Sequence, residues 1–215
     1  MLKDGETRSK LKQEILEAAE RLFQIHGYDK TTVQMIADDL HISKGSISYH
    51  FKNKCRIMYE LLFSFIDPLL KYINENLTEG RNEYLYFSVF IICSYRWAMK
   101  REKTWQFLYH EEIMAIWLDD QREFTENAYR KIAEDFHKEF TEEDIYFVTA
   151  ADNGTEMYMF KDYINGKITI DQYCYNQIYL AGLLLRLDEV TIQKNIRRAF
   201  EFADSHTPPD IFKFE

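Results

Sequence analysis

Between Lys44 and Lys54 the sequence gathers Lys44, Gly45, Ser46, Ser48, Tyr49, His50, Lys52 and Lys54, and no Asp or Glu occurs from Leu40 to Tyr59. Ammonium, hydroxyl, phenol and imidazole groups crowded together without a carboxylate share one chemistry: they donate to the oxygens of an anion. Lys44 can reach a guanine edge or a phosphate. Ser46 and Ser48 can donate or accept at base edges, and Tyr49 and His50 can donate to phosphate oxygens. Gly45 permits close approach of the backbone. A face meant only for water usually contains some acid, whereas one that enters the major groove of a polyanion excludes it.

Such residues act together only on one side of a rod. At 100° per residue, Ile47 and Phe51 turn inward, while Gly45, Ser46 and Tyr49 turn outward, flanked by Ser48 and His50. Ser43 is a suitable cap for this helix. Upstream, Leu11, Ile15, Ala18, Ala19, Leu22 and Phe23 form one stripe of a helix over 8–26, which Gly27 can end. Thr31 and Gln34 have capping-box spacing and open a second helix with Val33, Ile36, Ala37 and Leu40 inward. His41 and Ile42 make the turn. Two helices joined so tightly, braced by an earlier one, form a helix-turn-helix unit. Asn53 can cap a fourth helix running towards Leu77, which Pro68 should kink or divide. The N-termini of the second and fourth helices, with Thr31 and Thr32 at one and Lys52 and Lys54 at the other, offer further phosphate sites.

The stretch from Ile15 to Leu62, containing "AAERLFQIHGYDKTTVQMIADDLHISKGSISYHFKNKCRIMYEL", resembles the DNA-binding domain of the tetracycline-repressor (TetR) family. The run "SKGSISYHFKNK" carries most of that likeness. The resemblance implies phosphate contacts from residues like Thr32, Tyr49, His50 and Lys54, and base contacts from residues like Lys44, Gly45, Ser46 and Ser48. The family turn commonly has Gly where this chain has His41, a side chain that tolerates left-handed backbone better than most. The resemblance covers about a quarter of the chain, with a weaker echo at "YLAGLLLRLDE".

The expected fold is all-α. A helix-turn-helix domain over 1–53 precedes a helical ligand-binding and dimerisation domain over 54–207 and a tail over 208–215. Helices are predicted near 82–100, 103–118, 121–139, within 142–165 (where Asn153-Gly154 offers a turn), 169–187 and 189–205. The formal charge is −9, but Met1–Arg56 holds ten Lys and Arg against eight Asp and Glu, so the acidity lies in the body. A DNA-reading module of this size needs a twin for tight selective binding. The helix near 169–187 is apolar almost all round at its end, so Ile178, Ala181, Gly182 and Leu185, with Ile196 and Phe200 of the last helix, are candidate dimer residues. The family resemblance implies a four-helix bundle between two copies there. It also implies a chamber for a small-molecule effector, for which Phe90, Trp97, Trp105, Tyr109 and Trp117 are candidate lining. Glu111, Glu112, Asp119 and Asp120 are placed to draw a cation.

Other chemistry is poorly represented. The six His are scattered, without HExxH, and GxGxxG, P-loop and GxSxG patterns are absent. No metal, cofactor or enzymatic role is expected. Cys55, Cys93 and Cys174 fit reduced thiols in a cytoplasmic protein, with no secretion signal and no membrane span. The expected partners are double-stranded DNA, a second copy and a small effector. The rival reading is a helical small-molecule-binding or adaptor protein that no longer binds DNA.

Overall fold

The computed structural model describes residues 2–98 and 111–207, and these are all-α. Trp105, Tyr109, the first half of the helix expected over 103–118 (residues 103–110) and the tail from 208 lie outside the described residues. In chain order the described helices are α1 (Leu2–His26), α2 (Val33–Asp39), α3 (Lys44–His50), α4 (Lys54–Leu62), α5 (Ile66–Asn76), α6 (Glu83–Ala98), α7 (Glu111–Asp135), α8 (Glu142–Ile164), α9 (Ile170–Leu184) and α10 (Glu189–Ser205).

The N-terminal boundaries follow local chemistry. After α1, Gly27 takes φ +82°, open to glycine at no steric cost. Thr32, not Thr31, caps α2, its hydroxyl accepting from the Met35 N–H at 3.2 Å. Thr31 is instead fully buried, its hydroxyl donating to the carbonyls of Leu22 and Gly27. Ser43 caps α3 and Asn53 caps α4, as the sequence predicts. His41 sits at φ 54°, the left-handed turn that the family more often gives to glycine.

The long helix expected from Lys54 is two helices, separated at Phe63–Phe65. Pro68 belongs to the first turn of α5, where its missing N–H has no helical partner to lose. The helices expected over 103–118 and 121–139 are continuous across Asp119 and Asp120, which both project from the surface of α7. Asn153-Gly154 lies within α8 and makes no turn.

α6 is the centre of the body. It buries Tyr84, Leu85, Val89, Ile92 and Cys93 completely, packing against α5, α7, α9 and α10. This corrects the expected dimer residues. Ile178, Ala181, Gly182, Leu185 and Ile196 are covered by their own protomer, chiefly by α6 and by each other's helices; of that set only Phe200 is part-exposed. The apolar end of α9 is thus largely used within its own protomer, with Leu183 left exposed. Its tightest point is Gly182, where an added Cβ would lie 2.6 Å from the Tyr84 hydroxyl and 2.7 Å from Ile192. Tyr84 cannot yield cheaply, because its hydroxyl donates to the Ile178 carbonyl at 2.7 Å. Gly182→Ala should therefore cost about 2 kcal/mol and lower the melting temperature by roughly 4–8 °C. A melting temperature equal to that of the parent chain would contradict this packing.

Candidate nucleic-acid interface and helical chamber

The candidate DNA-facing surface is built by burying the opposite side of α3. Ile47 and Phe51 are about 1% exposed and pack with Ile15, Ala18, Ile36 and Ala37 into the head's core. This orientation leaves Lys44, Gly45, Ser48 and Tyr49 exposed, with Ser46 and His50 part-exposed. Tyr49 stands 63% exposed, edge-on to the His50 ring at 5.3 Å. The Ser46 hydroxyl shares a 2.9 Å hydrogen bond with Ser43, which fixes its direction. Thr32 and Lys52 are exposed beside the same face.

Two residues grouped with this face by sequence have another job. Thr31 is buried, as described above. The Lys54 ammonium donates to the carbonyls of Tyr28 at 2.7 Å and Thr31 at 2.9 Å and lies 4.1 Å from the Tyr28 ring centre. It bolts the start of α4 to the loop between α1 and α2. Lys12 adds a 2.6 Å ion pair to Glu60, again joining α1 to α4. The head and α4 are thus tied at both ends of that helix.

The body contains an aromatic chamber. Its walls include Phe63 and Phe65 at the α4–α5 break, Phe87, Phe90 and Tyr95 of α6, Trp117 and Phe124 of α7, Phe160 of α8 and Tyr173 of α9. Of the expected lining, Phe90 and Trp117 are here. Trp97 is not; it is buried against Tyr72 of α5, with ring centres 5.8 Å apart. Of the acids expected to draw a cation, the Glu111 side chain lies outside the described residues and the other three are elsewhere. Glu112, Asp119 and Asp120 are exposed, and Asp120 pairs with Arg56 of α4 at 3.0 Å.

Sequence reading missed two acids that do line the chamber, Asp152 and Glu156 of α8. They are 5% and 8% exposed. Their signal was positional. Ile145, Thr149, Asp152, Glu156 and Phe160 recur at the spacing of one helix face, so the acids occupy the inward stripe. Burial raises the Asp152 carboxyl to about 6. Burial, and then the neighbouring Asp152 charge, raise Glu156 to about 7. Both shifts express the cost of an ionised carboxylate away from water.

A short, acid-free helix with an exposed outer face on a three-helix head, joined to a larger helical body, defines a helix-turn-helix arrangement. Residues 15–60 match the model for bacterial regulatory proteins of the tetR family. The likeness to that family therefore covers the N-terminal head, about a fifth of the chain. It is 39% identical over 72 residues to a probable acrEF/envCD operon repressor of Escherichia coli K12, covering 33% of this chain and 32% of the relative. It is 29% identical over 110 residues to the transcriptional repressor KstR2 of Rhodococcus jostii, covering 51% and 53%. These matches span about a third and about half of the relatives' own lengths. The fold resembles that of SmeT, the repressor of a Stenotrophomonas maltophilia multidrug efflux pump, with a TM-score of 0.51 at 18% identity over 80% of this chain and 88% of that one.

Proposed function

We propose that this protein is a ligand-responsive transcriptional regulator that binds a palindromic operator as a homodimer and acts as a repressor. The observation that carries this reading is the outer face of α3, which is exposed, free of acid and held rigidly by its own buried side. Each subunit lays α3 in the major groove, with Lys44, Gly45, Ser46 and Ser48 towards bases and Thr32, Tyr49, His50 and Lys52 towards phosphates. Pairing uses what α9 and α10 leave uncovered. Tyr175 and Tyr179 stack there at 5.7 Å, beside the exposed Leu183 and the part-exposed Phe200.

The chamber supplies the response. Its volume is about 60 Å³, far below the ~300 Å³ of an ordinary ligand pocket. A ligand of that larger size must push the walls apart. One wall is Phe63 and Phe65, where α4 ends. Another is α7, which turns Trp117 inward and Asp120 outward to Arg56 of α4. A ligand that favours the displaced walls thereby favours a different head position, and only that difference in affinity drives the change.

The reading is tested by gel shift and footprinting on the DNA flanking the protein's own gene. Lys52→Ala should weaken binding to all sequences alike and reduce the salt slope by about one. Lys54→Met should leave that slope unchanged while lowering stability by about 1–2 kcal/mol, because it strips two loop carbonyls of their donor. Absence of any preference for a duplex sequence at low salt would favour the adaptor reading instead.

A further inference from the structure

The chamber contains two buried carboxyls and, among the described residues, no Lys, Arg or His in its lining. Their partners are telling. The hydroxyls of Tyr95 and Tyr173 both point at Oε1 of Glu156, the arrangement of an anion accepting two donors. Oδ1 of Asp152, one turn earlier on α8, has the Tyr129 hydroxyl as its nearest candidate donor and, among the described residues, no hydrogen bond of good geometry. Oε1 of Gln177 and Oγ of Ser94 line the same cavity, buried and equally unpartnered. The Tyr129 hydroxyl faces Asp152 without acceptable hydrogen-bond geometry. Buried acceptors left without donors are expensive and uncommon in a finished core. Here they cluster in one cavity, ringed by Phe87, Phe90, Trp117 and Phe124, whose faces attract positive charge.

From this cluster we infer that the effector is a flat, apolar organic cation bearing N–H donors, a protonated amine or amidine, with its charge at Asp152 and Glu156 and its skeleton among the aromatic rings. This rests on the regulator reading above and names the class of molecule that reading requires. The ammonium supplies the donors that Asp152 and Gln177 lack. It also neutralises two carboxylates that no described side chain neutralises. A neutral ligand of the same shape leaves both deficits in place, and an anion adds a third negative charge.

The test uses the full-length protein at pH 7.5 and calorimetric titration with three sizes of probe: phenylethylamine, naphthylmethylamine and 9-aminoacridine. Each is paired with a neutral and a carboxylate analogue of matching ring system. At least one cation should bind at least about tenfold more tightly than its neutral partner, with no measurable carboxylate binding. Asp152→Asn and Glu156→Gln should each erase most of that preference, the cation losing far more affinity than its neutral partner. Melting curves confirm that both variants fold. Equal or tighter binding of the neutral or anionic analogues, cation affinity untouched by either substitution, or no binding of any cation would overturn the inference. Duplex binding by the ligand-free protein is measured separately. Sequence-preferring DNA binding without cation selectivity defeats this inference alone, whereas cation binding without DNA binding defeats the regulator reading alone.

Discussion

Ser48→Glu should abolish detectable duplex binding at physiological salt, a loss of about a hundredfold or more. Ser48 is exposed on α3, and its neighbour Ile47 stays locked in the core, so the substitution leaves the head folded. Glu is a good helix former, and its charge near the end of a short helix costs only a few tenths of a kcal/mol. The damage arises on approach to DNA. A carboxylate set among Lys44, Tyr49 and Lys52 meets the phosphates, loses hydration and competes with the DNA for those two ammonium groups. Ala150→Glu adds the same charge on an exposed site of α8 and is expected to change affinity less than about threefold. Gel shifts of the two variants, with melting curves to confirm folding, make the comparison. Full binding by Ser48→Glu would mean that α3 does not face the duplex.

The second large effect concerns stability. Asp152 and Glu156 titrate at about 6 and about 7 in the folded protein, above their values in an unfolded chain. The groups around them are the phenols of Tyr95, Tyr129 and Tyr173, which are neutral throughout this range. The folded state therefore holds extra protons between the unfolded and folded values. Its advantage is complete below about pH 4 and disappears as pH rises through 6 and 7. Without ligand, the melting temperature should fall between pH 5 and pH 8. The double variant Asp152→Asn, Glu156→Gln should remove most of that slope and be more stable at pH 8 by an amount on the order of a few kcal/mol. Parallel pH profiles for parent and variant would show that the two carboxyls are not held against their ionisation. The combination is diagnostic, since substitutions that stabilise the empty protein should weaken its hold on a cation.

Most of the head was legible from sequence because its signals are local. Ser43 and Asn53 cap the helices they were expected to cap, and Ile47 and Phe51 turn inward. The errors came where two neighbours compete for one role. Thr31 and Thr32 are chemically alike, and only the fold decides which is buried and which caps α2. Lys54 was read as a surface cation because sequence does not show the Tyr28 and Thr31 carbonyls that fold towards it. In the body, the apolar end of α9 says that it must be covered but not by what; α6 provides most of the cover. Asp152 and Glu156 were overlooked beside Asn153, Gly154 and Thr155, a polar stretch that reads as solvated until its inward stripe is traced.

The three-residue interruption between α4 and α5 sets the scale of any movement at the DNA. In the proposed regulator, with Lys54 and Lys12 fastening the head to α4, the two would turn as one crank about Phe63–Phe65. The nine residues of α4 give that crank an arm of about 13 Å. A rotation of roughly 10° at the pivot would then swing the head by about 2 Å, and two cranks turning in opposite senses would alter their separation by about 5 Å. That exceeds the step between stacked base pairs, so a small angular change can put one reading helix out of phase with its half of the site.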